Sequence, residues 1–324
     1  MNRPAGRCEA RCASSRRRGF RSSGASVRTS LSSQRPGTES LAIYAEVFTR
    51  RCLTELAWYG FSDRLSLAHA FLREAGLLQD ETVGETLEVA FAELAKHHPV
   101  EYVFKSLALQ KLLFGRHSPR TTAFYTEFPV GECRADFLLA NGDAVVYEIK
   151  TPMDDLNRLS SQLSSYYQCF SNVILLTDQS KLLEAMEELP SHVGISVLTN
   201  RGHISTVRPP ASFSGALKHA SLFALLRKPE YVRLGEDLGL DTDRLHPAKL
   251  FDSCLECFRK LGIEEAQQTV IKTLKGRQKT ETIAALSQRL PRSLRLAAFS
   301  FRLRKADWDA IIALQEIPLG VRSP

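Results

Sequence analysis

Apolar positions change their period along this chain, and the changes mark out its elements. From about Glu39, the residues Tyr44, Val47, Phe48, Cys52 and Leu56 recur at helical spacing, and a second segment follows through Leu65, Phe71 and Leu72. Gly76 and Gly84 punctuate further helical pieces, and His97-His98-Pro99 closes the region. Adjacent histidines on a helix point to different sides, so an exposed helix end is expected there rather than a metal pair. Residues 100–114 are apolar on several sides (Val103, Phe104, Leu107, Leu109, Leu112, Leu113) and stop at Gly115, as in a helix buried against a sheet.

The period then shortens. Residues 121–128, rich in Thr, Phe and Tyr, read as a first strand. Two more runs flank Asn141-Gly142-Asp143, the turn signal of a hairpin. A two-residue turn would place Asp136 opposite Tyr147 and mix polar with apolar on both faces. A three-residue loop over 141–143 instead pairs Phe137 with Tyr147 and Leu139 with Val145, and gives one clean apolar face. In that register Asp136 pairs with Glu148 and Arg134 with Lys150 on the other face, because opposed residues of an antiparallel pair point the same way.

After Lys150, Pro152 stops the strand and Asp154 or Asp155 offers a helix N-cap. A helix to Phe170 carries the stripe Leu156, Leu159, Leu163, Tyr167 and Phe170, with Arg158, Gln162, Tyr166 and Cys169 along another side. Residues 172–177 form a short continuous apolar run, expected of a strand buried on both sides. A helix over 180–188 and strands near 193–198 and 204–208 complete an α/β unit. From about Ala211 the pattern is helical again, clearest over 250–261, and Pro291 interrupts the last third.

Charge first suggests a nucleic-acid partner, with a net +7 and a pI near 9.1. Its location removes that support. Residues 1–38 hold nine arginines and one acidic residue, a charge of +8, which leaves −1 on the rest. This basic tail has few large apolar residues and is expected to be disordered; its Arg/Ser-rich composition also resembles an organellar transit peptide, and an over-extended reading frame is a third reading. The 324 residues, 44% of them hydrophobic, allow one large or two to three small domains. No apolar run reaches membrane-spanning length, so a soluble, cytoplasmic protein without a membrane partner is expected. The seven scattered cysteines argue for reduced thiols. Cys254-x-x-Cys257 lacks a second ligand pair, and Cys254 shares a helical stripe with Leu250, Phe258 and Leu261, so core cysteines are expected.

Candidate chemistry therefore rests on the hairpin. The bland reading is a cross-strand charge cluster on a solvated face. That face continues into Leu138, Ala140, Ala144 and Val146, however, which look covered by protein. Two carboxylates at such a place suit a hard divalent cation, since Mg²⁺ is held by few carboxylates plus waters and phosphate oxygens. A lysine beside them can orient or deprotonate an attacking water. Glu127, in the preceding strand, is a third candidate carboxylate. No Walker loop, Gly-x-Ser-x-Gly elbow or zinc-protease helix occurs.

The order helix, strand, hairpin with Asp136 and Glu148-Ile149-Lys150, helix, buried strand resembles the PD-(D/E)XK nuclease superfamily, and Gln162-x-x-x-Tyr166 is similar to the motif of its RecB-like and Cas4-like members. More narrowly, Glu127, Arg134-Ala135-Asp136, Tyr147-Glu148-Ile149-Lys150-Thr151, Asp154 or Asp155, Arg158-Leu159, Gln162 and Tyr166 resemble a set of uncharacterised bacterial proteins of that superfamily with an "sce" placeholder name. Ala135 stands where the superfamily has proline. The resemblance implies a restriction-endonuclease-like α/β core, a mixed central sheet flanked by helices, over residues 99–210. A tail (1–38), a helical N-terminal region (39–98) and a helical C-terminal region (211–324) surround it. It implies a divalent-metal-dependent nuclease acting on nucleic acid, with DNA the expected substrate. Asp136, Glu148 and the Ile149 carbonyl would bind Mg²⁺ or Mn²⁺, and Lys150 would activate water. Glu127, Gln162 and Tyr166 would complete the catalytic set, and Arg134 and Arg158 would contact phosphate or hold the carboxylates in place. The alternative is a nuclease-fold protein without turnover, acting as a nucleic-acid-binding or regulatory module. Basic residues at Arg277, Lys279, Arg292, Arg295, Arg302, Arg304 and Lys305 read as solvated helix faces before they read as a phosphate track.

Overall fold

A computed structural model describes residues 37–97, 100–199 and 202–319. The basic tail and the His98-Pro99 end of the first helical region lie outside the described residues, apart from Gly37 and Thr38. Five helices come first: α1 (Thr38–Glu46), α2 (Arg50–Tyr59), α3 (Asp63–Glu74), α4 (Val83–His97) and α5 (Glu101–Lys111), the last running into one π-helical turn, Leu112–Arg116. A six-stranded sheet follows in the order β1 (Ala123–Val130), β2 (Cys133–Asn141), β3 (Asp143–Ile149), β4 (Asn172–Thr177), β5 (Gly194–Leu198) and β6 (Ile204–Arg208). It is mixed: β1, β2 and β3 are antiparallel, β3, β4 and β5 parallel, and β6 antiparallel to β5. The parallel steps are bridged by α6 (Leu159–Tyr167) and α7 (Leu182–Glu188), as parallel neighbours require a crossover.

The hairpin has the expected register. Phe137 faces Tyr147, Leu139 faces Val145, and Asn141 faces Asp143 across Gly142, whose φ of 83° suits only a residue without Cβ strain. The paired ladder stops at Phe137–Tyr147, one position short of Asp136 and Glu148.

Both faces of the sheet are covered, and period two decides which side chain goes where. Leu138, Ala140, Val146, Val173 and Leu175 pack under α6 with Leu159, Leu163 and Tyr167. Phe137, Leu139, Tyr147, Ile174 and Leu176 pack against Phe104, Ala108 and Leu109 of α5. The run 172–177 is thus buried on both sides. Gly194 lets β5 pass close to its neighbours: a Cβ there would lie 2.9 Å from both Ile174 Cγ1 and Pro210 N.

Most of the C-terminal third divides between two cores, while Leu296 joins the α5 face of the sheet. Helices α8 (His219–Ala224), α9 (Lys228–Asp237), α10 (Leu250–Phe258) and α11 (Ile263–Arg277) bring Leu222, Phe223, Phe258, Val270 and Leu274 to the α6 face. Helices α12 (Thr280–Arg289), α13 (Arg295–Ser300) and α14 (Lys305–Leu314) follow, and Leu290, Leu294, Ala297, Trp308 and Ile311 pack with the N-terminal helices around Leu53, Leu65 and Leu87. The Gln278 side chain covers the free edge of β1, taking the Phe124 N–H at 2.6 Å and donating to the Phe124 carbonyl at 2.6 Å, as a paired strand would.

Two local expectations need correction. Neither Asp154 nor Asp155 caps α6: Asp154 Oδ2 accepts from the Thr151 N–H and hydroxyl at 2.7 Å, Asp155 accepts from Asn157 N, and Arg158 occupies the N-cap position. The residues after Lys150 form turns, because Pro152 keeps Thr151 out of helical geometry. Of the Cys-x-x-Cys pair, Cys254 is buried with Leu255 and Phe258, and Cys257 is only partly buried, at the edge of that stripe. No helix among the described residues is long and apolar enough to cross a membrane.

Candidate functional site

Where β2 and β3 part, two lysine–carboxylate groups meet. The first is built around Lys105, on the sheet-facing side of α5. Its ammonium lies 2.7 Å from Glu101 Oε1, 2.7 Å from Glu127 Oε1 and 2.6 Å from Asp136 Oδ1. Glu101 stands one helical turn before Lys105. Glu127 faces Asp136 by register, between the pairs Thr126–Phe137 and Phe128–Ala135, yet it drops out of the ladder with φ of 49°. A left-handed non-glycine residue costs about 1–2 kcal/mol, and here the ammonium contact accompanies it. The second Asp136 oxygen accepts the Ile149 backbone N–H at 2.6 Å.

The second group is built on β3 and α6. Glu148 Oε1 takes the Gln162 side-chain N–H at 2.6 Å and lies 3.1 Å from the Lys150 ammonium, which itself donates to Gln162 Oε1 at 3.1 Å. Glu148 Oε2 lies 2.7 Å from the Tyr166 hydroxyl. That hydroxyl also reaches the Arg134 carbonyl at 2.8 Å, beyond the end of the β2–β3 ladder. Gln162 and Tyr166 are four apart on α6 and so present both groups to the same carboxylate.

Protonation follows from this arrangement. Burial, then the nearby Asp136 charge, pushes the Glu148 carboxyl up to about 7, against the pull of Tyr166 and Lys150. The hydrogen bonds agree with a proton here: one hydroxyl hydrogen cannot serve both Arg134 O and Glu148 Oε2, whereas a protonated Glu148 donates to Tyr166 and frees Tyr166 to donate to Arg134. Burial also raises Asp136, although Lys105 and the Ile149 N–H oppose it. Burial would lower the Lys105 ammonium, but Asp136 and the hydrogen bonds to all three carboxylates outweigh it and hold it charged.

Glu127, Asp136, Glu148, Lys150, Gln162 and Tyr166, all expected from the sequence, thus gather at one end of the sheet. Ile149 enters through its N–H on Asp136. Arg134 and Arg158 are exposed and form no ion pair with a described acidic residue, so they do not hold the carboxylates. Glu101 and Lys105 were missed. Their signal was a Glu-x-x-x-Lys pair inside an otherwise apolar helix, with a lysine among Val103, Phe104, Ala108 and Leu109.

The residues present fit a hard divalent cation. Glu101, Glu127 and Asp136 each offer an oxygen, mutually within 4.8 Å, and carboxylate oxygens are the ligands Mg²⁺ and Mn²⁺ prefer. With all four carboxylates ionised, the two lysines leave an excess of two negative charges. Glu148 lies outside the three-carboxylate set, because both its oxygens are engaged by Lys150, Gln162 and Tyr166.

Comparison with known proteins places this region in a wider group. The family described as bacteriophage P4 protein cII matches residues 95–297, a stretch that holds every residue of both groups. Protein cII of Enterobacteria phage P4 is 28% identical over 149 residues, covering 44% of this chain and 54% of that protein. The chain spans about half the length of the curated relative it matches. A protein of unknown function from Silicibacter pomeroyi is a distant structural neighbour, with a TM-score of 0.26 and 18% identity over 39% of this chain and 85% of that one.

Proposed function

We propose that this chain, which belongs to the bacteriophage P4 protein cII family, is a divalent-metal-dependent nuclease with a PD-(D/E)XK core, hydrolysing phosphodiester bonds in DNA. The observation that carries this reading is the meeting of Asp136, Glu148 and Lys150 where β2 and β3 separate, with Gln162 and Tyr166 holding Glu148 from α6. Asp136 and Glu127 would hold Mg²⁺ or Mn²⁺, with Glu101 completing the set. When bound, such a cation polarises the phosphoryl oxygen and lowers the pKa of a coordinated water.

The protein's own part is positioning and proton handling. Lys150 lies between Glu148 and Gln162, which fixes its ammonium beside the carboxylates while leaving its third N–H for a phosphate oxygen or an attacking water. Glu148, titrating near neutrality, can take a proton from that side. Arg134 and Arg158, exposed and uncommitted to a carboxylate, suit backbone phosphates.

A cleavage panel of linear, circular and single-stranded DNA and of RNA, run with Mg²⁺ or Mn²⁺, tests this. DNA cleavage is expected, lost on Lys150→Ala and on Asp136→Ala; undiminished cleavage by both variants overturns it. A second reading, a nuclease-fold protein that binds nucleic acid without turnover, draws support from the Lys105 ammonium lying among the carboxylates. DNA binding indifferent to Glu148→Ala, with no cleavage, would favour it.

A further inference from the structure

Lys105 takes no part in the proposed hydrolysis, yet it is the more enclosed of the two lysines at the site. The residue is 8% exposed, and its ammonium donates to one oxygen of each of three carboxylates. An ammonium has three N–H groups, and all three are spent here. It therefore stands where a small cation with oxygen ligands would stand.

Asp136 makes the two cations compete. One of its oxygens is bound to the Ile149 N–H, a backbone group that cannot withdraw without unpicking the sheet. The other is bound to Lys105. A divalent cation ~2.0–2.1 Å from that oxygen would lie within a few ångström of the ammonium, where like charges repel. The exit differs from the site: Glu101 and Glu127 have half or more of their side-chain surface in solvent, at 69% and 50%. A flexible four-carbon stem could carry the ammonium outward between them.

We infer that Lys105 is an exchangeable internal counter-ion: its ammonium holds the cation position of the Glu101–Glu127–Asp136 group and leaves it when a divalent, oxygen-preferring cation binds. Lys105 is then a positioning residue that keeps the carboxylates together without metal and sets how tightly metal is taken. The inference rests on the metal-dependent reading of the same site, and the test separates the two.

Amine acetylation of the full chain, read residue by residue by mass spectrometry, is compared in EDTA and in saturating Mn²⁺, alongside calorimetric titration with Mn²⁺. Lys105 is expected to be nearly inert in EDTA and several-fold more reactive with Mn²⁺, while a distant lysine such as Lys228 is unchanged. Lys105→Met is expected to bind Mn²⁺ about tenfold tighter or more and to lose thermal stability that Mn²⁺ restores. A purely structural lysine would show neither. Heat of Mn²⁺ binding with Lys105 still inert overturns the exchange and leaves the metal-dependent reading standing. No Mn²⁺ binding by either protein overturns both. Binding by Lys105→Met alone overturns the exchange, with the lysine a fixed counter-ion that excludes the metal. Should that variant fail to fold, the wild-type labelling decides.

Discussion

The two lysine–carboxylate groups share a backbone step, since Ile149 lies between Glu148 and Lys150 and also ties Asp136, yet they are built for different exchanges. Around Lys105 the carboxylates come from three elements and two of them open to solvent. Around Lys150 the carboxylate is enclosed, with the Glu148 side chain 3% exposed and bonded on both oxygens. The open group can trade one cation for another. The closed group can trade only a proton, and burial moves that trade to about pH 7. Exposure decides which exchange an acidic cluster supports, even where the residue types are the same.

The largest expected effect lies in the closed group. Lys150→Ala should lower cleavage by about 10²–10⁴-fold, the usual contribution of a positioned proton-transfer group, with Mn²⁺ affinity little changed; a loss of metal binding of the same size would erase the distinction between the groups. Next comes pH. A carboxyl raised in the fold stabilises it fully below the unfolded pKa, near 4.5, and that contribution is lost as pH rises through about 7. Metal-free unfolding of Glu148→Gln should therefore gain on wild type between pH 5 and pH 8, by at most about 3 kcal/mol. A difference that does not vary with pH would show that Glu148 is not the titrating acid. Tyr166→Phe should cost about 1–3 kcal/mol by stranding the Arg134 carbonyl. The smallest effect is remote from both groups: Gln278→Ala, which uncovers the β1 edge, should cost about 1 kcal/mol and leave metal binding alone.

Much of the closed group was legible in the sequence. Asn141-Gly142-Asp143 and the alternation around it fixed the hairpin register, since a slip of one residue would have turned the apolar set outward. The four-residue spacing of Gln162 and Tyr166 likewise put both on one helix face. The open group was much less legible. Lys105 is a buried charge in an apolar helix, and periodicity assigns such a helix to the core without saying which neighbour compensates the charge. Glu127 owes its place to a left-handed backbone that no turn residue announces. The turns after Lys150 depart from the capping preference of Asp154 and Asp155 because Pro152 constrains Thr151. The C-terminal helices were recognised as helices, but their division between two cores depends on long-range packing that amphipathic stripes do not specify.

Metal-dependent phosphodiester hydrolysis by Asp136, Glu148 and Lys150 can be tested outright. Its most direct measurement is the conversion of supercoiled circular DNA to nicked or linear forms by the full chain in Mn²⁺, beside EDTA and beside Asp136→Asn purified identically. Cleavage by wild type in Mn²⁺ alone is the expected result. Equal cleavage by Asp136→Asn, or none by a wild-type protein that demonstrably binds both Mn²⁺ and DNA, would contradict the claim.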